Sequence, residues 1–425
     1  MAKGDGSITE VKRGVWRVRV DFGTDQVTGK RNVVSRNVHG SKAEARKVRD
    51  RIRREHDDGL AVDAERLTFA EFADAWHESR VAADEVVRTR LEREVTLIRD
   101  MCAFIGDVRL RDLTPQTVEA LYAAIKRDKT QKRGKCSGTT LHMYHGLLKQ
   151  ILRKAADYDL ILRNPCDRVK APKMEDTERR SLTAEEGSRL LECVDEAEAE
   201  AYEWMAGKEA RQTEWGNLFG RSSLRGLNII GYVLAVRIGL ATGMRRGEVF
   251  GLCWGSVDLN QPCIKVRQAL TVHGELKPPK SKAGNRTVAI DATTAAHLRQ
   301  WKERQAIELL KLGIRQCGDT PVCCSAVGGF VEVHNFVRWW QTFRDHYGFG
   351  GLKYHELRHT QATQLLANGV DVKTVQSRLG HSDASLTLNQ YAHAIPDNDE
   401  KAAQLVGELF ARRQNSTPII EVKTA

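Results

Sequence analysis

The chain has 425 residues, 41% hydrophobic and 29% charged, with no low-complexity tract; that is too long for one ordinary core, so two or three domains are expected. Lys and Arg number 67 against 56 Asp and Glu, a net charge of +11 with a pI near 9.2. That balance favours a polyanionic partner, nucleic acid first and an acidic membrane surface second. The nine cysteines are odd in number and irregularly spaced, and do not read as a disulfide framework. Cys317, Cys323 and Cys324 cluster without a C-x-x-C or a matching His pair, so no zinc site is expected. Met1–Gly6 carries no apolar signal region, and no run approaches about 18 apolar residues. A cytoplasmic protein without membrane contact is the expectation.

The first segment alternates. Trp16, Val18, Val20 and Phe22 share one face of a strand, and Val15, Arg17, Arg19 and Asp21 share the other. Thr28-Gly29 marks a turn before a second strand at Asn32–Val38. From Ser41, an N-cap candidate, a basic helix follows. The first 60 residues hold 15 basic and 9 acidic side chains, a net of 15 − 9 = +6, which suits a sheet reading a DNA groove or its phosphates through Arg17, Arg19, Lys30 and Arg31. A merely solvated face is the bland alternative. Gly59–Glu65 reads as a linker.

From Thr68 to about Val169 the pattern is helical. Phe69, Phe72, Ala73 and Trp76 recur at helix spacing, as do Leu91, Val95, Ile98, Cys102 and Phe104. Thr114-Pro115 starts another helix with Pro in its first turn, and Leu141–Ala156 gives one more, ending before Asn164-Pro165. Lys126–Gly138 reads as a polar loop in which Lys132 and Arg133 could face DNA. Val169–Arg180, with Pro172, reads as an interdomain linker. Ser181–Glu186 opens a helix with capping-box character. A strand pair is expected near Cys263–Gln268 and Arg286–Ile290, and the segment 192–227 has no clear pattern. The domain expectation is 1–62, 66–172 and 179–412, with 413–425 as a loose tail. The fold class is multidomain α+β.

Five short stretches in the last domain carry the chemistry. Ala241-Thr242-Gly243-Met244-Arg245-Arg246-Gly247-Glu248 places Arg245 at a helix start, a region suited to anions. Pro279-Lys280-Ser281-Lys282-Ala283-Gly284-Asn285-Arg286 is a basic turn feeding a strand. His355-Glu356-Leu357-Arg358-His359 sets His355 and Arg358 three apart on a helix. Leu379-Gly380-His381 and Thr387–His393, with Tyr391, complete the set. Singly, each has an ordinary reading: a solvated arginine, a soluble lysine, a glycine C-cap, a half-buried tyrosine. Together they solve one problem. Two guanidiniums can clamp a phosphodiester that gains charge under attack, and two histidines can donate hydrogen bonds or exchange protons near pH 7. A tyrosine hydroxyl needs such help, since its free pKa is about 10. A mobile lysine can protonate the leaving oxygen. The phosphotyrosine conserves the bond for rejoining, so neither metal nor nucleotide cofactor is called for.

These motifs closely resemble those of the tyrosine recombinase family, specifically phage and conjugative-transposon integrases of the lambda type, over most of the chain. The resemblance implies a small three-stranded N-terminal sheet plus helix that binds arm-type DNA sites, a helical-bundle core-binding domain, and a mixed α/β catalytic domain. It makes Tyr391 the nucleophile, Arg245, Lys282, His355, Arg358 and His381 the activating residues, and Glu248 the acidic support of the first arginine. Lys282, four before Arg286, fits the family spacing best, with Lys280 as its rival. Segment 192–227 is longer than the family pattern. The implied activity is a site-specific recombinase that integrates and excises a mobile element through a 3′-phosphotyrosine. Its implied partners are duplex DNA with core and arm sites, three further copies in a homotetramer, and an excisionase and a host DNA-bending protein as accessory factors, all at the nucleoid. The segment after Tyr391 (Ala402, Leu405, Val406, Leu409, Phe410) is apolar at helical spacing and suits packing on a neighbouring protomer or within the chain.

Two rivals remain at the level of sequence. His355–His359 satisfies H-E-x-x-H, a zinc protease signature, but Ala362 and Leu365 stand where the longer form has a glycine and a third histidine, and no Glu follows Glu356 until Glu400. The other is a DNA-binding regulator derived from an integrase that no longer cuts.

Overall fold

The computed structural model describes residues 6–24, 31–57, 66–175, 180–206, 227–279 and 281–383, with 385, 388, 391, 403, 404 and 406–409. The chain divides into two compact units, Met1–Thr177 and Glu178–Ala425.

The first unit begins with β1 (Ser7–Lys12), β2 (Val15–Thr24) and β3 (Arg31–His39), an antiparallel sheet in that order. The alternation of β2 becomes burial: Val18 and Val20 are fully covered, and with Ala45 and Ile52 of α1 (Lys42–Asp57) they form a small core that Trp16, Phe22, Val34 and Val38 flank. Arg17 and Arg19 point the other way and are exposed. Arg17 lies opposite Asn37 and donates to its Oδ1 at 3.3 Å. Arg31 is exposed and paired with Asp21 at 2.9 Å. Lys30 lies outside the described residues. Ser41 caps α1 reciprocally with Glu44, an arrangement worth about 1 kcal/mol.

The same unit holds α2 (Phe69–Ala82), α3 (Arg88–Ile105), α4 (Pro115–Arg133) and α5 (Gly138–Asp157) around a separate apolar core. Phe69, Phe72, Ala73 and Trp76 are buried together, following their spacing. Helix α3 departs from its apolar pattern. Val95 and Phe104 are exposed, and the inward face is Glu94, Leu97, Ile98, Met101 and Ile105. A carboxylate can replace an aliphatic residue there because Arg80 meets Glu94 with two hydrogen bonds and Arg90 adds a third, so the buried charge is compensated.

A second departure concerns Lys126–Arg133, which forms the last turns of α4 rather than a loop. Lys129 is pinned to Asp100, which also accepts from Tyr144, and Lys132 pairs with Asp128 one turn back. The helix stops only at Gly134, whose φ of +75° is the left-handed C-cap. Lys132 and Arg133 are exposed at that end. The first half of the expected linker is held to α5. Glu175 exchanges bonds with Gly138 and Thr139, and the Pro172 carbonyl meets His142.

In the second unit, Thr183 caps α6 (Ala184–Met205) in a capping box with Glu186. This helix takes in residues 192–205 of the stretch that lacked a pattern; residues 207–226 lie outside the described set. Helix α7 (Leu227–Thr242) is covered on every side, as a helix apolar all round must be. It is the axis of the core, joined by α8 (Arg246–Phe250), α9 (Ala292–Lys311), α10 (Val333–His346) and α11 (Tyr354–Ala367). Phe250 and Phe336 pack edge to face at 4.7 Å, a preferred aromatic geometry. Strands β4 (Val257–Asp258), β5 (Cys263–Val266) and β8 (Arg286–Ala289) form an antiparallel sheet with Cys263 opposite Ala289, and β6 (Ala269–Leu270) pairs with β7 (Leu276–Lys277). Helix α12 (Val372–Leu379) follows α11. No described helix is long and apolar enough to cross a membrane.

Candidate active site

Most of the candidate residues sit beside the ends of helices or strands, and Arg358 lies one turn into α11, so elements hold their backbone. At the end of α7 the chain reverses through Gly243, whose φ is +64° and whose missing Cβ leaves room for the Gln361 side chain. Two residues on, Arg245 precedes α8. Glu248, one turn into that helix, reaches back to the Arg245 backbone N–H at 2.9 Å and accepts from its guanidinium at 2.9 Å. Glu248 is buried, while the Arg245 side chain keeps 45% of its surface exposed. A guanidinium at a helix start, braced from behind and open in front, is ready for an anion.

Helix α11 supplies the second guanidinium. Its His355 is exposed, and one turn later Arg358 is buried. Arg358 donates to the Gly243 carbonyl at 2.8 Å and to the Leu379 carbonyl at 2.7 Å. One side chain thus ties the turn before Arg245 to the turn before His381. Burial, then the charge of Arg245, pushes Arg358 down to about 9. Two cations held this close favour an anion between them.

Helix α12 ends at Gly380, with φ +69°, so the bland reading of Gly-His as a C-cap is correct locally. The cap also delivers His381. Its backbone is fixed in both directions by Gln376, whose carbonyl receives the His381 N–H and whose side-chain amide donates to the His381 carbonyl. Burial, then the charges of Arg358, Arg245, Arg286 and His355, hold the imidazole down to about 4. It is neutral at ordinary pH, so it can donate one hydrogen bond without being a cation.

Tyr391 is only 2% exposed and belongs to a small cluster with Ala362, Leu366, Val375 and Leu379. Its ring lies on the buried His359 at 4.8 Å, and it is among the groups whose charge acts on Arg358. Four separate stretches therefore converge: Arg245 with Glu248, Arg358 with His355, His381, and Tyr391.

Lys282 does not join them by direct contact. It is exposed on the short turn Lys282–Gly284 ahead of β8, and Lys280 lies outside the described residues. The turn's backbone is nonetheless fastened to the pocket by Arg286, which the sequence offers only as a spacing mark. This side chain is 8% exposed and donates to Glu248, to the Gly284 carbonyl and to the Arg378 carbonyl. Burial would raise Glu248; Arg286 through hydrogen bonds and charge, then Arg245, outweigh it and hold the carboxylate below its ordinary range. A signal for Arg286 exists in hindsight: an arginine at an inward position of a strand must find an acid or carbonyls.

The H-E-x-x-H coincidence has a different use here. Glu356 turns back to the Lys353 N–H at 2.8 Å as a helix cap, and His359 faces Tyr391. Among the described residues the acid and imidazole side chains that do converge are Asp195, Glu198 and His297. Arg237 is paired with both carboxylates, so a protein cation already holds that place.

Comparison with known proteins bears on the whole chain. Residues 68–171 match the phage integrase SAM-like domain and residues 229–397 match the phage integrase family. A XerC-like tyrosine recombinase of Caldanaerobacter subterraneus is 25% identical over 94% of this chain and 98% of its own. The Tn1549 transposon integrase, solved in complex with a circular intermediate DNA, superposes with a TM-score of 0.58 at 18% identity, covering 80% of this chain and 98% of that one. A lambda integrase tetramer bound to a Holliday junction gives 0.51 at 17% identity, covering 89% and 96%. At those identities the superpositions speak for the fold alone. With two matches that together take in the helical bundle and the pocket, the chain belongs to the phage integrase family of tyrosine recombinases.

Proposed function

We propose that this chain is a site-specific recombinase that cuts and rejoins duplex DNA through Tyr391, integrating and excising a mobile element. The observation that carries the reading is the pair of hydrogen bonds from Arg358 to the Gly243 and Leu379 carbonyls, which holds Arg245 and His381 around one point while Tyr391 lies on the same helix pair. Arg245 and Arg358 bind the non-bridging oxygens of the scissile phosphate and stabilise the charge that grows there. His381, neutral at working pH, donates to the same oxygens. Tyr391 Oη attacks phosphorus, its proton passes to His355, and the P–O5′ bond breaks. The leaving 5′-oxygen takes a proton from Lys282 or Lys280. The 3′-phosphotyrosine is then attacked by a 5′-hydroxyl, which reverses each transfer and frees Tyr391.

In this reading residues 1–62 bind arm sites through Arg17, Arg19, Lys30 and Arg31. Residues 66–172 bind core sites with Lys132 and Arg133 among the contacts, and 179–412 carry the chemistry. The chain works as a homotetramer on two duplexes, with an excisionase and a host bending protein as accessory partners. Support for DNA as partner comes from the basic charge and from family membership. The exposed Val406 and Leu409 in a described helical stretch suit packing of the C-terminal segment on a neighbouring copy.

The test is a nicked suicide substrate carrying the junction between element and host DNA. Covalent complex should accumulate and map to Tyr391, and Tyr391→Phe should bind the substrate without forming it. Adducts persisting in Tyr391→Phe would remove the nucleophile assignment, and binding without adduct in the native chain would favour a non-cutting regulator.

A further inference from the structure

Arg286 donates hydrogen bonds to three separate parts of the pocket. Its Nε donates to the Arg378 carbonyl at 2.7 Å, Nη1 to the Gly284 carbonyl at 3.2 Å and to Glu248 at 3.3 Å, and Nη2 to Glu248 at 2.8 Å. Those acceptors belong to the end of α12, the lysine turn and helix α8. At 8% exposure the guanidinium faces these groups and not solvent, so it acts through them.

We propose that Arg286 is a positioning residue that locks the lysine turn, the Arg245–Glu248 pair and the His381 turn into one unit, and that it keeps Glu248 charge-compensated when Arg245 swings to the phosphate. The proposal rests on the recombinase reading above. Its physical basis is an asymmetry between the two arginines on Glu248. Arg286 is buried with the carboxylate, 5% exposed on both sides of the pair, whereas Arg245 is 45% exposed and its guanidinium holds Glu248 by a single bond. A buried carboxylate left alone is costly. With Arg286 in place, the Arg245 guanidinium can leave Glu248 for an incoming phosphate, while the Arg245 N–H stays anchored to Glu248. Without Arg286, Glu248 either retains the Arg245 guanidinium or takes a proton and releases its N–H. Close packing adds to the lock: a Cβ on Gly380 would run into Arg286 and the Ala283 carbonyl.

The test measures single-turnover formation of the Tyr391 adduct on the suicide substrate, DNA binding and thermal melting, for the native chain, Arg286→Lys, Arg286→Gln and Glu248→Gln/Arg286→Gln. The charged groups facing Glu248 are Arg245, Arg286 and, from α11, Arg358; Arg378 and His381 face Arg286 from α12 and the turn after it. Arg286→Lys, which keeps the charge but cannot reach three segments, should bind DNA within about twofold and form adduct roughly tenfold more slowly or worse. Arg286→Gln should acquire a new pH limb that follows Glu248, whose ionised form retains the Arg245 guanidinium and whose protonated form releases the Arg245 N–H. The double variant should lose that limb, because Gln does not titrate; His381 also feels the Arg286 charge, so the limb is read between Arg286→Gln and the double variant, which both lack that charge. Adduct formation at the native rate in both single variants overturns the proposal. So does a loss that follows melting and DNA binding in step with no new pH limb. If the native chain forms no adduct, the recombinase reading falls and takes this one with it.

Discussion

The phenol ring of Tyr391 lies on the imidazole of His359, ring centres 4.8 Å apart and planes 34° from parallel. His359 is itself 5% exposed on α11, one position after Arg358. In the proposed reading, the helix that clamps the phosphate also provides the surface on which the nucleophile rests. Such an aromatic contact contributes about 0.5–1.5 kcal/mol, and that is the size of the effect to look for. His359→Ala should slow adduct formation by a few-fold to about tenfold at unchanged DNA affinity. His359→Phe, which restores a ring, should recover most of it. Equal loss in both variants would show that ring packing is not what His359 contributes.

Arg358 offers a test of clamp against charge. Replacing it with Lys keeps one positive charge but cannot satisfy the Gly243 and Leu379 carbonyls together. Each buried carbonyl left without a donor costs about 1–3 kcal/mol. Arg358→Lys should melt at a lower temperature and lose at least about a hundredfold in single-turnover cleavage. A native cleavage rate in that variant would remove Arg358 from the phosphate site.

His381 gives a pH dependence whose sign can be worked out. Its folded-state pKa of about 4 lies below the 6.5 of a free imidazole. Between those values the unfolded chain holds more protons than the folded one. Stability from this group is therefore complete above pH 6.5 and is lost as pH falls towards 4. Urea denaturation at pH 5 and pH 7 should show a smaller gap in His381→Gln than in the native chain. A gap of equal size would mean that other groups carry the acid sensitivity.

The leaving-group acid can be found chemically. A 5′-bridging sulfur in the scissile linkage leaves without protonation, so it rescues loss of a general acid but not loss of a phosphate clamp. Lys282→Ala and Lys280→Ala should be compared on oxygen and sulfur substrates. Lys282→Ala is expected to be slow on oxygen and near native on sulfur. The same pattern in Lys280→Ala, with Lys282→Ala native on both, would move the role to Lys280.

On the N-terminal sheet, Arg17 and Arg19 are exposed on the face away from α1. Replacing both with Ala should weaken binding to arm-site DNA and lower the salt dependence by about one unit of slope for each phosphate no longer neutralised. Cleavage of a suicide substrate carrying the core site alone should not change. An unaltered salt slope would make the sheet's positive face a solvated surface.

The sequence by itself determined the local machinery. Alternation in β2 decided which side of the sheet is buried, Thr-Pro marked the start of α4 and Ser181–Glu186 that of α6, and Gly243 and Gly380 marked the reversals that release Arg245 and His381. These rest on interactions within a few residues, so pattern and spacing suffice. Tertiary structure decided which charges are buried and by what they are compensated. Glu94 faces inward on α3 in place of Val95 because arginines from α2 and its own helix reach it. Lys126–Arg133 is helical in part because Asp100, distant in sequence and itself bonded by Tyr144, holds Lys129. Arg286, one arginine among many in the sequence, became the tie between three segments, since its partners lie 38 and 92 positions away. A buried charge takes its meaning from the partners the fold brings to it, and no window of neighbouring residues contains them.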